Sequence, residues 1–233
     1  MEAWAAVAIL GGFVAMDTTS GPQVMISEPL VSSALIGFLF GDPVAGIAIG
    51  MLFQLLWLDY MPLGAVRFTD HNMASLIATA SLLAAEKCYG MDGGMVRAGV
   101  IPAILFGVLV GWLGLQVTSA LWRWNDRRGE ALLAKAREGS LSGVGWAQAY
   151  GLGAAFLKGV VMTVLFVPAG MVLCGLVRYA PGVVRDAFAL GSIMIFGTVA
   201  ASAANFFWVN ERARRPLALG AIGGVVWLIA ALR

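Results

Sequence analysis

Polar side chains stand out first, because they interrupt apolar sequence. They are Asp17, Gln23, Glu28, Asp42, Gln54, Asp59, Asp70, His71 and Asn72, all within the first 72 residues. Ionisable groups at membrane depth are costly and mark pathways or sites. Amides and carboxylates bridge neighbouring hydroxyls, such as those of a sugar. Trp57 and Tyr60 offer flat faces on which a sugar ring stacks. Gln54 lies inside an apolar run and is the hardest of the set to explain as a cap, whereas Asp42, just before Pro43, is the easiest. We therefore expect Gln23, Gln54, Asp59, Asp70 and Asn72 to line one polar, substrate-binding cavity beside a break in a helix. The competing expectation is that Asp59, Asp70 and Asn72 only cap helices at the water interface.

Other chemistries find little support. A single histidine, His71, gives no basis for a histidine zinc site, so no metal ligands are expected. There is no Walker loop and no GxGxxG signature, and one histidine among scattered serines makes no catalytic triad. No catalytic residue and no cofactor are expected. Cys88 and Cys174 are far apart in sequence and read as free thiols. Lys158 sits near the start of an apolar run and reads as a snorkelling side chain.

The elements that must position these groups belong in lipid. Of 233 residues, 60% are hydrophobic and only 12% charged, against about one quarter in soluble domains. Too little charge is present to cover a soluble core, and the basic residues lie between apolar runs rather than in a nucleic-acid patch. With Glu2 in place of a basic n-region, the N-terminus reads as retained rather than as a signal peptide. Apolar runs cover about residues 3–16, 29–58, 73–85, 98–121, 146–177, 186–209 and 216–232. The second is interrupted by Gly41-Asp42-Pro43, a helix stop followed by a new start, which we expect to face the inside of the molecule. Gly107 and Gly111 form a GxxxG spacing suited to close helix contact, and Pro102 stands near the start of that run. The polar stretch 122–145 carries Arg123, Arg127, Arg128, Lys135 and Arg137, and reads as a cytoplasmic loop with a short helix at Glu130–Arg137. Arg212, Arg214 and Arg215 suggest a second cytoplasmic flank. The expected fold is all-α: one integral membrane domain over 1–233, a polytopic helical bundle with broken or re-entrant helices.

Residues 17–71, DTTSGPQVMISEPLVSSALIGFLFGDPVAGIAIGMLFQLLWLDYMPLGAVRFTDH, also carry a family pattern. Gln23 is followed by Pro29-Leu30-Val31. Next come Leu35-Ile36-Gly37, then Gly41-Asp42 and Gly46-Ile47-Ala48-Ile49-Gly50. Gln54, Trp57, Pro62, Gly64, Ala65 and Asp70 complete it. This ordered set resembles the IIC membrane component of the mannose-type (mannose–fructose–sorbose) bacterial sugar phosphotransferase system. The resemblance implies a sugar permease subunit of the bacterial cytoplasmic (inner) membrane, with no phosphorylation site of its own. It implies a IID membrane partner, cytoplasmic IIA and IIB proteins that carry the phosphate, and homo-oligomers of hetero-complexes. It also implies broken helices around a midplane sugar site moved in an elevator-like way. The chain departs from the pattern at Glu28, usually basic, at Gln54, usually Glu, at Thr69, often Pro, and at Arg67. Two other readings stand beside transport: a membrane scaffold or sensor for soluble phosphotransferase proteins, and an unrelated membrane enzyme.

Overall fold

A computed structural model describes residues 2–58, 69–137 and 142–209, with isolated positions between 212 and 220. Every regular element in it is a helix: α1 Glu2–Thr19, α2 Pro29–Phe40, α3 Pro43–Leu56, α4 His71–Tyr89, α5 Gly93–Arg137, α6 Ser142–Gly175 and α7 Gly182–Val209. Three of these, α5, α6 and α7, are long and apolar enough to cross a membrane, whereas α1, α2 and α3 contain shorter apolar segments.

The break at Gly41–Pro43 forms as its residues dictate. Gly41 takes the left-handed conformation (φ 76°) that ends α2. The Asp42 carboxylate accepts from Ala45 N at 2.9 Å and caps α3, and Pro43 opens it. The chain then folds back, so that α2 and α3 make a tight hairpin. Gly37, Gly46 and Gly50 let the two backbones touch: a Cβ on Gly46 would lie 2.5 Å from Ser33 O and 2.8 Å from Gly37 Cα.

The position of the break differs from expectation. Gly41 is exposed and faces Lys87 near the polar end of α4, rather than the interior. The cause is the direction of the hairpin, since α2 runs alongside α4 from Ser75 towards Lys87. Here, outside the three spans, the Glu86 carboxyl is held above its usual range, first by burial and then by nearby Asp42. A raised carboxyl pKa makes the folded state bind more protons, so stability falls as pH rises through that range. We expect Glu86→Gln to raise the unfolding temperature at neutral pH and to lose its advantage in acid, as followed by a thermal melt in detergent.

The innermost helix is α4, with every residue from Asn72 to Ala85 buried against α1, α2, α3, α5 and α6. Its short apolar stretch at 73–85 contains polar residues because they are satisfied by neighbours. Thr79 Oγ1 donates to Ser33 Oγ (2.9 Å), Ser33 and Ser75 hydroxyls meet at 2.7 Å, and Ser75 Oγ donates to Pro29 O (3.3 Å). This buried hydroxyl chain ties the hairpin to α4. On the other side, Gly107, Gly111 and Gly114 of α5 lie against α4, with Gly107 beside Ala74 and Ala78. The GxxxG spacing thus serves helix contact, as its residues suggest.

At 1.5 Å per residue, the 45 residues of α5 measure about 67 Å, more than twice the hydrocarbon core of a bilayer. The stretch read as a loop is therefore helical up to Arg137, and α6 already begins at Ser142. Glu130–Arg137 is the end of α5 and not a separate helix. Arg128 joins the two extensions by lying 4.3 Å from the Trp124 ring and 4.2 Å from the Tyr150 ring. Phe106 meets Phe166 and Trp124 meets Tyr150, so α5 and α6 run antiparallel.

Candidate functional site

A cavity of about 350 Å³ lies where α1 ends, α2 starts, α3 ends and α4 starts. That volume falls within the range of small-molecule sites. Its wall includes Asp17, Thr18, Gln23, Glu28, Gln54, Trp57, His71 and Asn72. Three of the five expected site residues, Gln23, Gln54 and Asn72, therefore share one cavity. Asp70 faces elsewhere, and Asp59 lies outside the described residues. The cavity is at the open mouth of the hairpin, a full helix length from the Gly41–Pro43 break. With 12 residues in α2 that separation is about 18 Å.

Gln54 bridges the two arms of the hairpin at the cavity wall, from the end of α3 to the start of α2. Its Nε2 donates to Glu28 Oε2 at 2.8 Å, and its Oε1 accepts from Leu30 N at 3.3 Å. Two of the positions at which the chain departs from the family pattern, Glu28 and Gln54, are thus bonded to each other. The amide also meets one of the donors left free in the first turn of α2. Trp57 stacks on Phe53 with ring centroids 5.3 Å apart, and its ring lies 6.0 Å from that of His71. An aromatic wall is thereby set against the polar one.

Asp17, on the cavity wall but outside the five expected site residues, holds the structure of the turn after α1. Buried at the end of α1, it accepts from Val24 N (2.7 Å) and Ser27 N (3.1 Å). These bonds hold a turn in which Gln23 (φ 53°) and Met25 (φ 68°) adopt left-handed backbone, uncommon for residues other than glycine. Asp17→Ala should free this turn at a cost of about 2 kcal/mol, since hydrogen bonds to a charged acceptor contribute more than neutral ones. Limited proteolysis is expected to cut the variant between residues 20 and 28 while sparing the parent.

Asn72 is buried at the start of α4. Its Nδ2 donates to Thr18 Oγ1 at 3.0 Å, and Thr18 in turn donates to Val14 O at 2.8 Å. The other side of the amide, Oδ1, is buried without a hydrogen-bond partner among the described residues. An unmet acceptor of this kind costs about 1–3 kcal/mol unless something donates to it.

Asp70 is both a cap and an ion-pair partner. Its Oδ1 accepts from Met73 N at 3.3 Å and caps α4, but it does so buried inside the bundle rather than at the water interface. Its Oδ2 meets Lys158 Nζ at 2.5 Å, and Lys158 also donates to Thr118 Oγ1 at 2.8 Å. The Lys158 and Asp70 side chains are 5% and 4% exposed. Lys158 therefore does not snorkel: α6 begins 16 residues earlier, at Ser142, which places its ammonium deep inside the bundle. A lysine this far from a helix end needs an anion, and that need is the signal in the sequence for its pairing. Among the described residues no group of His, Cys, Asp and Glu side chains is arranged to hold a metal ion.

Comparison with known proteins agrees with this architecture. The family model of the phosphotransferase (PTS) system sorbose-specific IIC component matches residues 3–198. The sorbose-specific EIIC component of Lacticaseibacillus casei is 29% identical over 103 residues, covering 44% of this chain and 36% of that protein. The mannose-specific EIIC component of Escherichia coli K12 is 26% identical over 124 residues, 53% of this chain and 42% of that protein. The matched stretches thus span less than half the length of these relatives. Among solved structures, a chain described as a membrane protein superposes with a TM-score of 0.69 at 20% identity, covering 100% of this chain and 96% of that one. A chain from the cryo-EM structure of the mannose transporter ManYZ with microcin E492 gives a TM-score of 0.51 at 22% identity, covering 99% and 95%. With the family match running over most of the helical bundle, this chain belongs to the sorbose-specific IIC component family of the phosphotransferase system.

Proposed function

We propose that the chain is the IIC permease subunit of a bacterial phosphotransferase sugar transporter, and that the 350 Å³ cavity receives a hexose-type sugar. The observation that carries this reading is Asn72 Oδ1, a buried acceptor without a partner among the described residues, on the wall of a cavity with further amide and carboxylate groups. A sugar hydroxyl is a donor of the right kind for it. Trp57 supplies the flat apolar surface that a sugar ring also needs. In this reading Gln23, Gln54 and Asn72 contact sugar directly, Asp59 joins them, and Asp70 acts from behind the start of α4. The subunit has no phosphorylation site of its own: a IID subunit lies beside it in the bacterial cytoplasmic membrane, and cytoplasmic IIA and IIB proteins deliver the phosphate. The basic C-terminal part of α5 and the basic residues Arg212, Arg214 and Arg215 after α7 then face the cytoplasm, as the positive-inside rule favours. Labelling of single cysteines placed at Arg127 and Arg214 from the same side supports that orientation, and labelling from opposite sides refutes it.

The test of the sugar site is titration of D-mannose and L-sorbose into the purified chain in nanodiscs, with and without its membrane partner. Asn72→Leu and Gln54→Leu should each weaken binding about tenfold while the protein stays folded, the loss expected for one or two hydrogen bonds to a bound hydroxyl. Unchanged affinity in both folded variants rejects these amides as ligands. Absence of sugar binding in the parent, even with its partner, favours a scaffold over a transporter.

A further inference from the structure

The Lys158–Asp70 pair lies beside the main cavity, at the start of α4. A second, small space of about 20 Å³, room for roughly one water, adjoins the main cavity. The two spaces share Thr18 and His71 on their walls. The smaller one continues along Leu115, Thr118 and Trp122, which stand at i, i+3 and i+7 and so form one stripe of α5. Trp122 stands seven residues beyond Leu115, so this stripe runs from the start of α4 towards the C-terminal end of α5. Asp70, Lys158 and Thr118 close it from three helices at once, α4 at its N-terminus, α5 and α6. Asp70 N also donates to Gly111 O at 3.0 Å, fixing the start of α4 against α5.

From this placement we propose that the Lys158–Asp70–Thr118 cluster is a charge-paired gate between the sugar cavity and the membrane face where α5 ends. The proposal rests on the cavity being the sugar site. A carboxylate and an ammonium buried together hold three helices by charge-assisted bonds, yet separation becomes affordable once water reaches both groups. In this proposal the paired, dry contact of the structure is the closed state, and the wetted, separated pair is the open one. The gate would close the narrow space against a molecule of sugar size and open it by parting α6 from the α4 N-terminus. Breaking the gate would also release His71 and Asn72, which follow Asp70 directly and line the cavity.

The gate is tested by accessibility, read without sugar. Leu115→Cys is placed in a Cys88→Ser background, since Cys88 is exposed and Cys174 is buried. The purified chain in nanodiscs is treated with a water-soluble cationic methanethiosulfonate reagent. Labelling of the parent should be slow. Asp70→Asn/Lys158→Gln keeps the cap and the zero net charge of the pair but removes the charged lock, and should label about tenfold faster, the shift expected from losing one charge-assisted bond. Lys158→Arg keeps the lock and should stay within about twofold of the parent. Parent-like labelling of the neutral pair overturns the gate, and so does an arginine variant as fast as the neutral one. Should the neutral pair not yield monodisperse protein, Thr118→Val, which removes only the third contact, decides: faster labelling supports the gate and an unchanged rate overturns it. Failure here leaves the sugar reading standing, whereas absence of sugar binding in the parent removes that reading without touching the accessibility result.

Discussion

Replacing Lys158 with methionine should destabilise the bundle by about 3–5 kcal/mol, the range for removing one partner of a buried ion pair. The methionine is close in length to the lysine stem, so little packing volume is lost. What remains is the Asp70 carboxylate, 4% exposed, with its charge unbalanced between α4, α5 and α6. Thr118 also loses the donor that now lies 2.8 Å from its hydroxyl. Adding Asp70→Asn should recover most of the loss, because the amide oxygen still accepts from Met73 N and no charge is left behind. Steric-trapping measurements of unfolding in bicelles would show the effect as a large loss for the single variant and a small one for the double. Equal stability of the Lys158→Met variant and the parent would mean that the pair is solvated and lies outside the buried core.

Gly46→Leu should be nearly as damaging, at about 3 kcal/mol, the upper end of ordinary overpacking. The reason is that the obstacle is backbone. A Cβ at Gly46 would stand 2.5 Å from Ser33 O and 2.8 Å from Gly37 Cα, and neither atom swings aside as the tip of a long side chain does. The hairpin would have to open. Opening it separates Glu28 from Gln54, whose 2.8 Å bond bridges the hairpin beside the cavity. Sugar affinity should therefore fall along with stability, although Gly46 is outside the cavity wall. Gly151→Ala on α6 is the control: nothing lies within 4 Å of a Cβ there, so the change should be neutral or stabilising by up to about 1 kcal/mol. Thermal melts in detergent, paired with sugar titration, would separate the two glycines.

By itself, the sequence determined the solvent of this protein and the class of its fold. A 60% hydrophobic chain with 12% charge can shield so much apolar surface only in lipid, and lipid requires backbone groups to bond internally, which yields helices. Local chemistry was equally legible. Gly41, Asp42 and Pro43 stop one helix and start the next, and the spacing of Gly107 and Gly111 announces close contact. These features depend on neighbours within a turn or two. Gln54 stood out for the same reason, as an amide inside an apolar run that must meet something.

Tertiary structure decided everything that depends on which neighbour answers. Lys158 and Asp70 are 88 residues apart, so no local rule pairs them; read alone, one is a snorkelling lysine and the other a cap. Glu28 and Gln54 are each merely unusual in the chain and become a bonded pair only once the hairpin closes. The polar stretch after Trp122 looked like a loop because polarity is also what a helix shows once it has left the bilayer, and only its continuity with α5 tells the two apart. The direction of the hairpin was hidden as well. A break in a helix has the same sequence whether it points inward or outward, and here the hydroxyl chain from Thr79 to Pro29 sets α2 beside α4 so that the break points out and the open mouth forms the cavity. Side-chain type sets what a group demands within a few residues of chain, while the partner that meets the demand is chosen by packing between segments far apart in sequence.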